Sequence, residues 1–212
     1  KCCAAGRSTI FIMMSRTSRK PPTGWRSWYN NTDVDPATGL TPYINMQKVL
    51  KVCHDFVDNF DNTFSNLLFI GQTGVGKTFL SNCIARALMD SCHSIIYLTA
   101  GEFFDSFKSD DFKEFGSSKF DTSFFVECDL LIIDDLGTEK ASDYNFSNLF
   151  NTINERLLRR KSIIISSNLE MPDIETRYSQ RIFSRLVSAY SILRLFGDDI
   201  RCMKKLSPTK RS

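Results

Sequence analysis

Eight consecutive residues, Gly71-Gln72-Thr73-Gly74-Val75-Gly76-Lys77-Thr78, follow the spacing GxxxxGK[ST]. Glycines at these positions let backbone N–H groups curl round a phosphate chain without Cβ clashes. A helix starting at the lysine adds its partial positive charge. On this reading Lys77 reaches the β- and γ-phosphates and the Thr78 hydroxyl joins a Mg²⁺ shell. The candidate nucleotide contacts are Gly71, Thr73, Gly74, Val75, Gly76, Lys77, Thr78 and the following Phe79. The bland alternative is a glycine-rich turn before a helix. An apolar strand before the motif and an amphipathic helix after it weigh against that.

A second signal is Leu130-Leu131-Ile132-Ile133-Asp134-Asp135, an apolar run ending in two carboxylates in the manner of a Walker B strand. Burying the run holds the acids at the carboxyl edge of a sheet. Asp134 is the candidate Mg²⁺ ligand, with Thr78. Asp135 is the candidate that orients or deprotonates an attacking water. The plainer reading is a pair of acids capping a helix. A third run, Ile163-Ile164-Ile165-Ser166-Ser167-Asn168, also ends in polar residues. Asn168 can sense a γ-phosphate or the lytic water, or Ser167 and Asn168 simply make a turn. Arg181 and Arg185 share one helix face at four-residue spacing. They are candidates for an arginine finger reaching a neighbouring subunit, or a solvated basic face. Arg201, after Gly197-Asp198-Asp199-Ile200, is a further candidate phosphate contact or an ordinary tail residue.

These residues need elements to position them. Helical spacing of apolar residues predicts helices over 43–60, 77–90, 144–160 and 174–190. Short apolar runs predict strands at 67–70, 95–99, 130–133, 162–166 and near 193–195. Strands alternating with helices imply βαβ units and a mainly parallel sheet. Continuous rather than alternating apolar strands fit a sheet covered on both faces. The segment 102–125 predicts two short helices. Its Phe103, Phe104, Phe107, Phe112, Phe115 and Phe120 read first as packing, with Lys108, Lys113 and Lys119 as weaker DNA candidates.

At 212 residues with 42% hydrophobic content, the chain can build one sizeable core. No apolar run is long enough to cross a bilayer, which leaves no membrane role in the reading. A net charge of +3 is compatible with nucleic acid without demanding it. Residues 1–30 and 201–212 carry basic side chains and no acids. The seven cysteines include no CxxC pair, so neither a zinc ribbon nor a disulfide framework is legible. Cys83 and Cys128 read as buried free thiols, and a reducing cytosolic, hence cytoplasmic, setting fits. Pro21, Pro22 and Gly24 interrupt the first forty residues, with Trp25, Trp28 and Tyr29 as candidate anchors.

The ordered set of motifs resembles the AAA+ ATPases of the DnaC/DnaI helicase-loader group, which includes the IstB transposition ATPases. Asn66-Leu67-Leu68-Phe69-Ile70 before the P-loop, Leu136-Gly137-Thr138-Glu139 after the acids, and Gly197-Asp198-Asp199-Ile200-Arg201 carry the likeness over about 43–201. The resemblance implies a P-loop NTPase (AAA+) fold of α/β class. It is a three-layer αβα arrangement on a mainly parallel five-stranded sheet. Residues 43–212 would form the ATPase domain, and 1–42 a divergent or truncated N-terminal region or linker. It implies ATP and Mg²⁺ as cofactors. The implied partners are a replicative DnaB-like helicase, single-stranded DNA and further copies in an ATP-bridged oligomer. Asn168 would be sensor 1, Arg185 (or Arg181) the arginine finger and Arg201 sensor 2. Residues 101–125 match the segment through which such proteins often engage DNA. The cysteine-rich zinc module of DnaI-like loaders has only Cys2-Cys3 as a counterpart.

A GTPase is the first rival, since Asp134-Asp135-Leu136-Gly137 contains DxxG; no Asn-Lys-x-Asp guanine-reading motif occurs, so adenine is preferred. A small-molecule kinase would need an arginine-rich lid, which is not evident. A transposition helper ATPase would share every motif.

Overall fold

Five strands, most of them built on short apolar runs, form the sheet at the centre of the described residues. They are β1 (Leu67–Ile70), β2 (Ile95–Thr99), β3 (Leu130–Leu136), β4 (Ser162–Ser167) and β5 (Ser191–Arg194). A computed structural model of the chain describes residues 32–36, 38–108 and 122–201. The strands lie in the order β2-β3-β4-β1-β5, and all four pairings are parallel. The sheet expected to be mainly parallel is therefore parallel throughout.

Alternate side chains of β1, β3 and β4 enter two separate cores. Leu67 and Phe69, Leu130 and Ile132, and Ile164 face one side. There they meet α1 (Pro42–Asp58) and α2 (Lys77–Asp90). Leu68 and Ile70, Leu131 and Ile133, and Ile163 and Ile165 face the other side. That face is covered by α3 (Ala100–Asp105), α4 (Phe124–Glu127), α5 (Asp143–Leu158), α6 (Met171–Arg177) and α7 (Gln180–Ala189). Burial on both faces removes any need for polar residues within the strands. Each fully buried isoleucine contributes about 1.5–3 kcal/mol of transfer free energy. The core therefore fixes the strands, and the polar residues at their carboxyl ends are placed as a consequence.

Local sequence sets the helix boundaries. Thr41 caps α1 by accepting the Ile44 N–H at 3.4 Å, and Pro42 takes the first helical position, where its missing N–H costs nothing. Thr99 and Glu102 form a reciprocal capping box at α3. Ser142 caps α5 through the Asn145 N–H at 3.2 Å. Phe103, Phe104 and Phe125 are buried against one another, as packing residues should be. Phe112, Phe115, Phe120, Lys113 and Lys119, with the other calls on 1–31, 109–121 and 202–212, lie outside the described residues. Cys128 is buried as expected, whereas Cys83 is only half-buried.

The single helix expected over 174–190 is two helices. Tyr178 is extended (ψ 162°) and Ser179, also extended, precedes α7. The Tyr178 hydroxyl donates to Glu139 Oε1 at 2.6 Å, and its ring packs edge-on against Phe146. Turning this side chain into the core breaks the helical path. β3 is longer than expected and includes both acids, with a register shift between Ile133 and Leu136. β5 begins two residues earlier than the apolar pattern suggested.

Arg156 is fully buried and ties α5 to the sheet. Its guanidinium donates to the carbonyls of Phe125 (2.7 Å), Cys128 (3.0 Å), Asp129 (3.1 Å) and Ser162 (2.6 Å). Burial pulls its pKa down from the usual arginine value, and the Cys128 thiol opposes that.

Candidate nucleotide site

The strand order brings the carboxyl ends of β1, β3 and β4 to one crevice. From β1 the chain passes through residues 71–76 into α2, and it returns at the far edge as β2. Such a switch in strand order opens a cleft at the carboxyl edge of a parallel sheet. The P-loop forms its floor. Gly71 lies at φ 138°, and a Cβ there would stand 2.0 Å from the Leu195 carbonyl oxygen. Gly74 lies at φ 86°, and its Cβ would meet the Asp199 carboxyl group at 2.2 Å. Conformation favours glycine at both positions, and at Gly71 the neighbouring backbone leaves no room for a side chain either. Gly76 (φ 104°) directly precedes α2, whose first residue is Lys77.

Lys77 is 5% exposed, yet its ammonium is fully engaged. Nζ donates to the carbonyls of Gly71 (2.6 Å) and Gln72 (2.8 Å) and to Asn168 Oδ1 (2.6 Å). Burial pulls its pKa below the ordinary lysine value. Asp135 and Asp134 act against this, and the positive charge of Arg201 adds to the depression. Three acceptors at bonding distance suit the charged form.

Asp134 is 4% exposed and gathers three hydroxyl groups. Thr78 Oγ1 and Ser166 Oγ donate to its Oδ1, the former at 3.3 Å, and the Tyr97 hydroxyl donates to Oδ2 at 2.8 Å. Burial first, then the Asp134 charge, pushes the Tyr97 pKa upward. Asp135 adopts a left-handed backbone (φ 57°), unusual for a non-glycine residue. Its N–H donates to Ser166 Oγ at 3.0 Å. Asn168 Nδ2 donates to Asp135 Oδ1 at 3.4 Å. The Asn168 amide therefore joins Lys77 to Asp135. Its orientation is settled chemically, since an ammonium only donates and a carboxylate only accepts.

Gly71, Gly74, Gly76, Lys77, Thr78, Asp134, Asp135 and Asn168 thus meet in one place. Val75 is buried beneath the loop, and Thr73 is exposed on its outer side. Phe79 packs into the core between α1 and α2. The Arg201 backbone N–H bonds Asp199 Oδ1 at 2.8 Å, and the neighbouring Ile200 N–H bonds the Gly74 carbonyl at 3.1 Å. Arg181 and Arg185 are not drawn into the cleft. Both are exposed on α7, where Arg185 Nη2 donates to Asn154 Oδ1 at 3.2 Å.

Sequence reading missed Tyr97, Ser166 and Asp199. Nothing near Tyr97 marks it, because its partner lies on another strand; β2–β3 pairing sets it opposite Ile132, two residues before Asp134. Ser166 did carry a signal, as a polar residue closing an apolar strand.

The pocket suits a nucleoside triphosphate with a hard cation. The glycine-rich loop Gly71–Gly76 accepts a polyphosphate, Lys77 supplies positive charge, and Thr78 with Asp134 offers hard oxygen donors of the type Mg²⁺ prefers. A bound Mg²⁺ would neutralise phosphate charge there.

The chain is similar to several known proteins. The chain is 23% identical over 151 residues to the replicative helicase loader DnaC of Escherichia coli K12, covering 71% of this chain and 61% of that protein. It thus spans about three fifths of the relative's length. The crystal structure of the DnaC helicase loader superposes with a TM-score of 0.63 at 22% identity, covering 72% of this chain and 91% of that one. The replication initiator DnaA bound to AMPPCP and single-stranded DNA gives a TM-score of 0.61 at 21% identity, covering 76% and 50%. This chain shares the fold of both structures. The family model for IstB-like ATP binding proteins matches residues 43–207, and the chain belongs to that family.

Proposed function

We propose that this chain hydrolyses ATP with Mg²⁺ and couples the reaction to loading a DnaB-like replicative helicase onto single-stranded DNA in the cytoplasm. The observation that carries the reading is the Lys77–Asn168–Asp135 bridge, which links the phosphate-binding loop to the residue placed to activate water. Asp135 accepts a proton from the attacking water at its carboxylate. Asn168 holds that carboxylate in position and senses the γ-phosphate through Lys77. Asp134, oriented by Thr78, Ser166 and Tyr97, would hold the cation. Arg201 approaches the phosphates from the C-terminal segment. Arg185, with Arg181 as the other candidate, serves a neighbouring copy in an ATP-bridged oligomer, which fits their exposure on α7. Likeness to a helicase loader and to a DNA-bound initiator supports the replication role.

The test is steady-state ATP hydrolysis with and without single-stranded DNA, for the wild type and Lys77→Ala. Turnover that DNA stimulates and the substitution abolishes is expected. Turnover indifferent to DNA would move the assignment toward protein remodelling. The family match to IstB-like proteins supports a second reading, a transposition helper ATPase. Stimulation by a transposase rather than by a helicase would select it.

A further inference from the structure

After β5 the chain continues alongside β1 and then reaches the P-loop at Gly74. The Leu195 N–H donates to the Ile70 carbonyl at 2.8 Å, and the Ile200 N–H donates to the Gly74 carbonyl at 3.1 Å. Between them the Asp199 carboxyl group lies against the α-carbon of Gly74. A methyl group built on Gly74 would stand 2.2 Å from both Asp199 Cγ and Oδ1, and 2.5 Å from Oδ2. The carboxylate therefore sits where an acidic side chain on residue 74 itself would begin. A residue 125 positions away places a fixed negative charge on the rim of a loop built to hold phosphates.

We propose that Asp199 is an affinity-determining residue, which weakens nucleotide binding electrostatically and so sets the rate at which nucleotide leaves. The proposal rests on the ATP-binding reading above and concerns regulation of the same site. The physical basis is direct. The backbone N–H groups of the loop form an electropositive concavity, and a carboxylate at its edge opposes the entry of a polyphosphate. The same carboxylate accepts the Arg201 N–H at 2.8 Å, so it also fixes the backbone from which the Arg201 side chain departs. Asp199 thus combines two effects that a substitution can separate. Its charge disfavours phosphate, and its oxygen positions a cation whose field is felt at Lys77.

Asp199→Asn is the informative variant. It is isosteric, keeps an oxygen for the Arg201 N–H and keeps the packing on Gly74, while removing the charge. The measurement is equilibrium binding and release of a fluorescent N-methylanthraniloyl ADP and its ATP counterpart, in Mg²⁺ buffer at low and high salt. The expected result is binding about tenfold tighter at low salt, expressed mostly as slower release, with the gain shrinking as salt rises. Asp199→Ala, which loses the acceptor as well, should show a smaller gain and a lower turnover number. Unchanged or weaker binding of Asp199→Asn at low salt overturns the proposal and leaves Asp199 a structural clasp. If Asp199→Asn does not fold, as its melting curve would show, Asp199→Ser provides the same contrast. Failure of the wild type itself to bind nucleotide, with Lys77→Ala indistinguishable from it, would instead sink the ATP-binding reading.

Discussion

Lys77 Nζ lies 2.6 Å from Asn168 Oδ1, across 91 residues of sequence, and this bond closes the circuit from the P-loop to the acid pair. Lys77 keeps two carbonyl partners without it. Asp135 would lose the side-chain donor that Asn168 provides. Asn168→Ala should therefore leave ATP affinity within about threefold while lowering kcat about a hundredfold, the usual scale for one preorganised polar contact. Nucleotide titration combined with single-turnover hydrolysis separates the two. A loss confined to affinity would assign Asn168 to binding alone.

How much of this site was legible in the sequence follows from distance along the chain. The P-loop is local: eight neighbouring residues carry glycine, lysine and threonine at positions that backbone geometry dictates. The central strands β1, β3 and β4 were legible too, because burial on both faces gives them apolar runs, whereas the exposed edge strand β5 was placed two residues late. Asp134, Asp135 and Asn168 were found since each ends such a strand. Tyr97 and Asp199 were not, because their roles come from the pairing of β2 with β3 and from the course of the chain after β5. The break at Tyr178 also escaped notice. The apolar spacing runs through it, and only the Glu139 carboxylate, reached in three dimensions, decides that the side chain turns inward.

Arg156 supplies the clearest stability prediction. It is buried without a carboxylate partner among the described residues, and four carbonyls depend on it. Arg156→Met keeps much of the volume but removes the guanidinium donors from those oxygens, at about 1–3 kcal/mol for each left unsatisfied and dry. Relaxation and water entry reduce the sum, so a loss of about 3–5 kcal/mol is expected. Arg156→Lys cannot reproduce the fork and should recover only part of it. Urea unfolding followed by circular dichroism measures both. A loss below about 1 kcal/mol would mean the carbonyls find other donors.

His93 predicts a pH dependence of stability. Nδ1 stands 3.2 Å from the Leu88 carbonyl oxygen and Nε2 stands 2.9 Å from Asp61 Oδ1. Both partners only accept, so both contacts form together only with the imidazolium. The Asp61 hydrogen bond is the main cause of the raised pKa; burial opposes it, while the Leu88 bond and the charges of Asp61 and Asp129 assist. A group whose folded pKa is raised stabilises fully below its unfolded value, near 6.5. That stabilisation fades as pH rises through the folded value. Urea midpoints should therefore fall from pH 6 toward pH 8.5 in the wild type, and His93→Gln should flatten this part of the profile. A midpoint that rises over that range in the wild type alone would contradict the assignment.

Arg185 and Lys77 allow a test of whether sites are completed between copies. Arg185 is exposed on α7, engages Asn154 and makes no contact with the P-loop among the described residues. If it acts within its own chain, no mixture can repair its loss. If it acts on a neighbour, Arg185→Ala and Lys77→Ala fail for different reasons: the first binds ATP but offers no finger, and the second offers a finger but binds no ATP. Each alone should turn over at least about a thousandfold more slowly than the wild type, the lower end of the range known for arginine fingers. Mixed at concentrations that favour association, they form interfaces pairing an intact P-loop with an intact Arg185, and activity should return in part. Wild-type turnover per chain should also rise with protein concentration, since a lone copy lacks its activator. Absence of recovery, with association confirmed by sedimentation, would exclude Arg185 and make Arg181→Ala the next variant to mix.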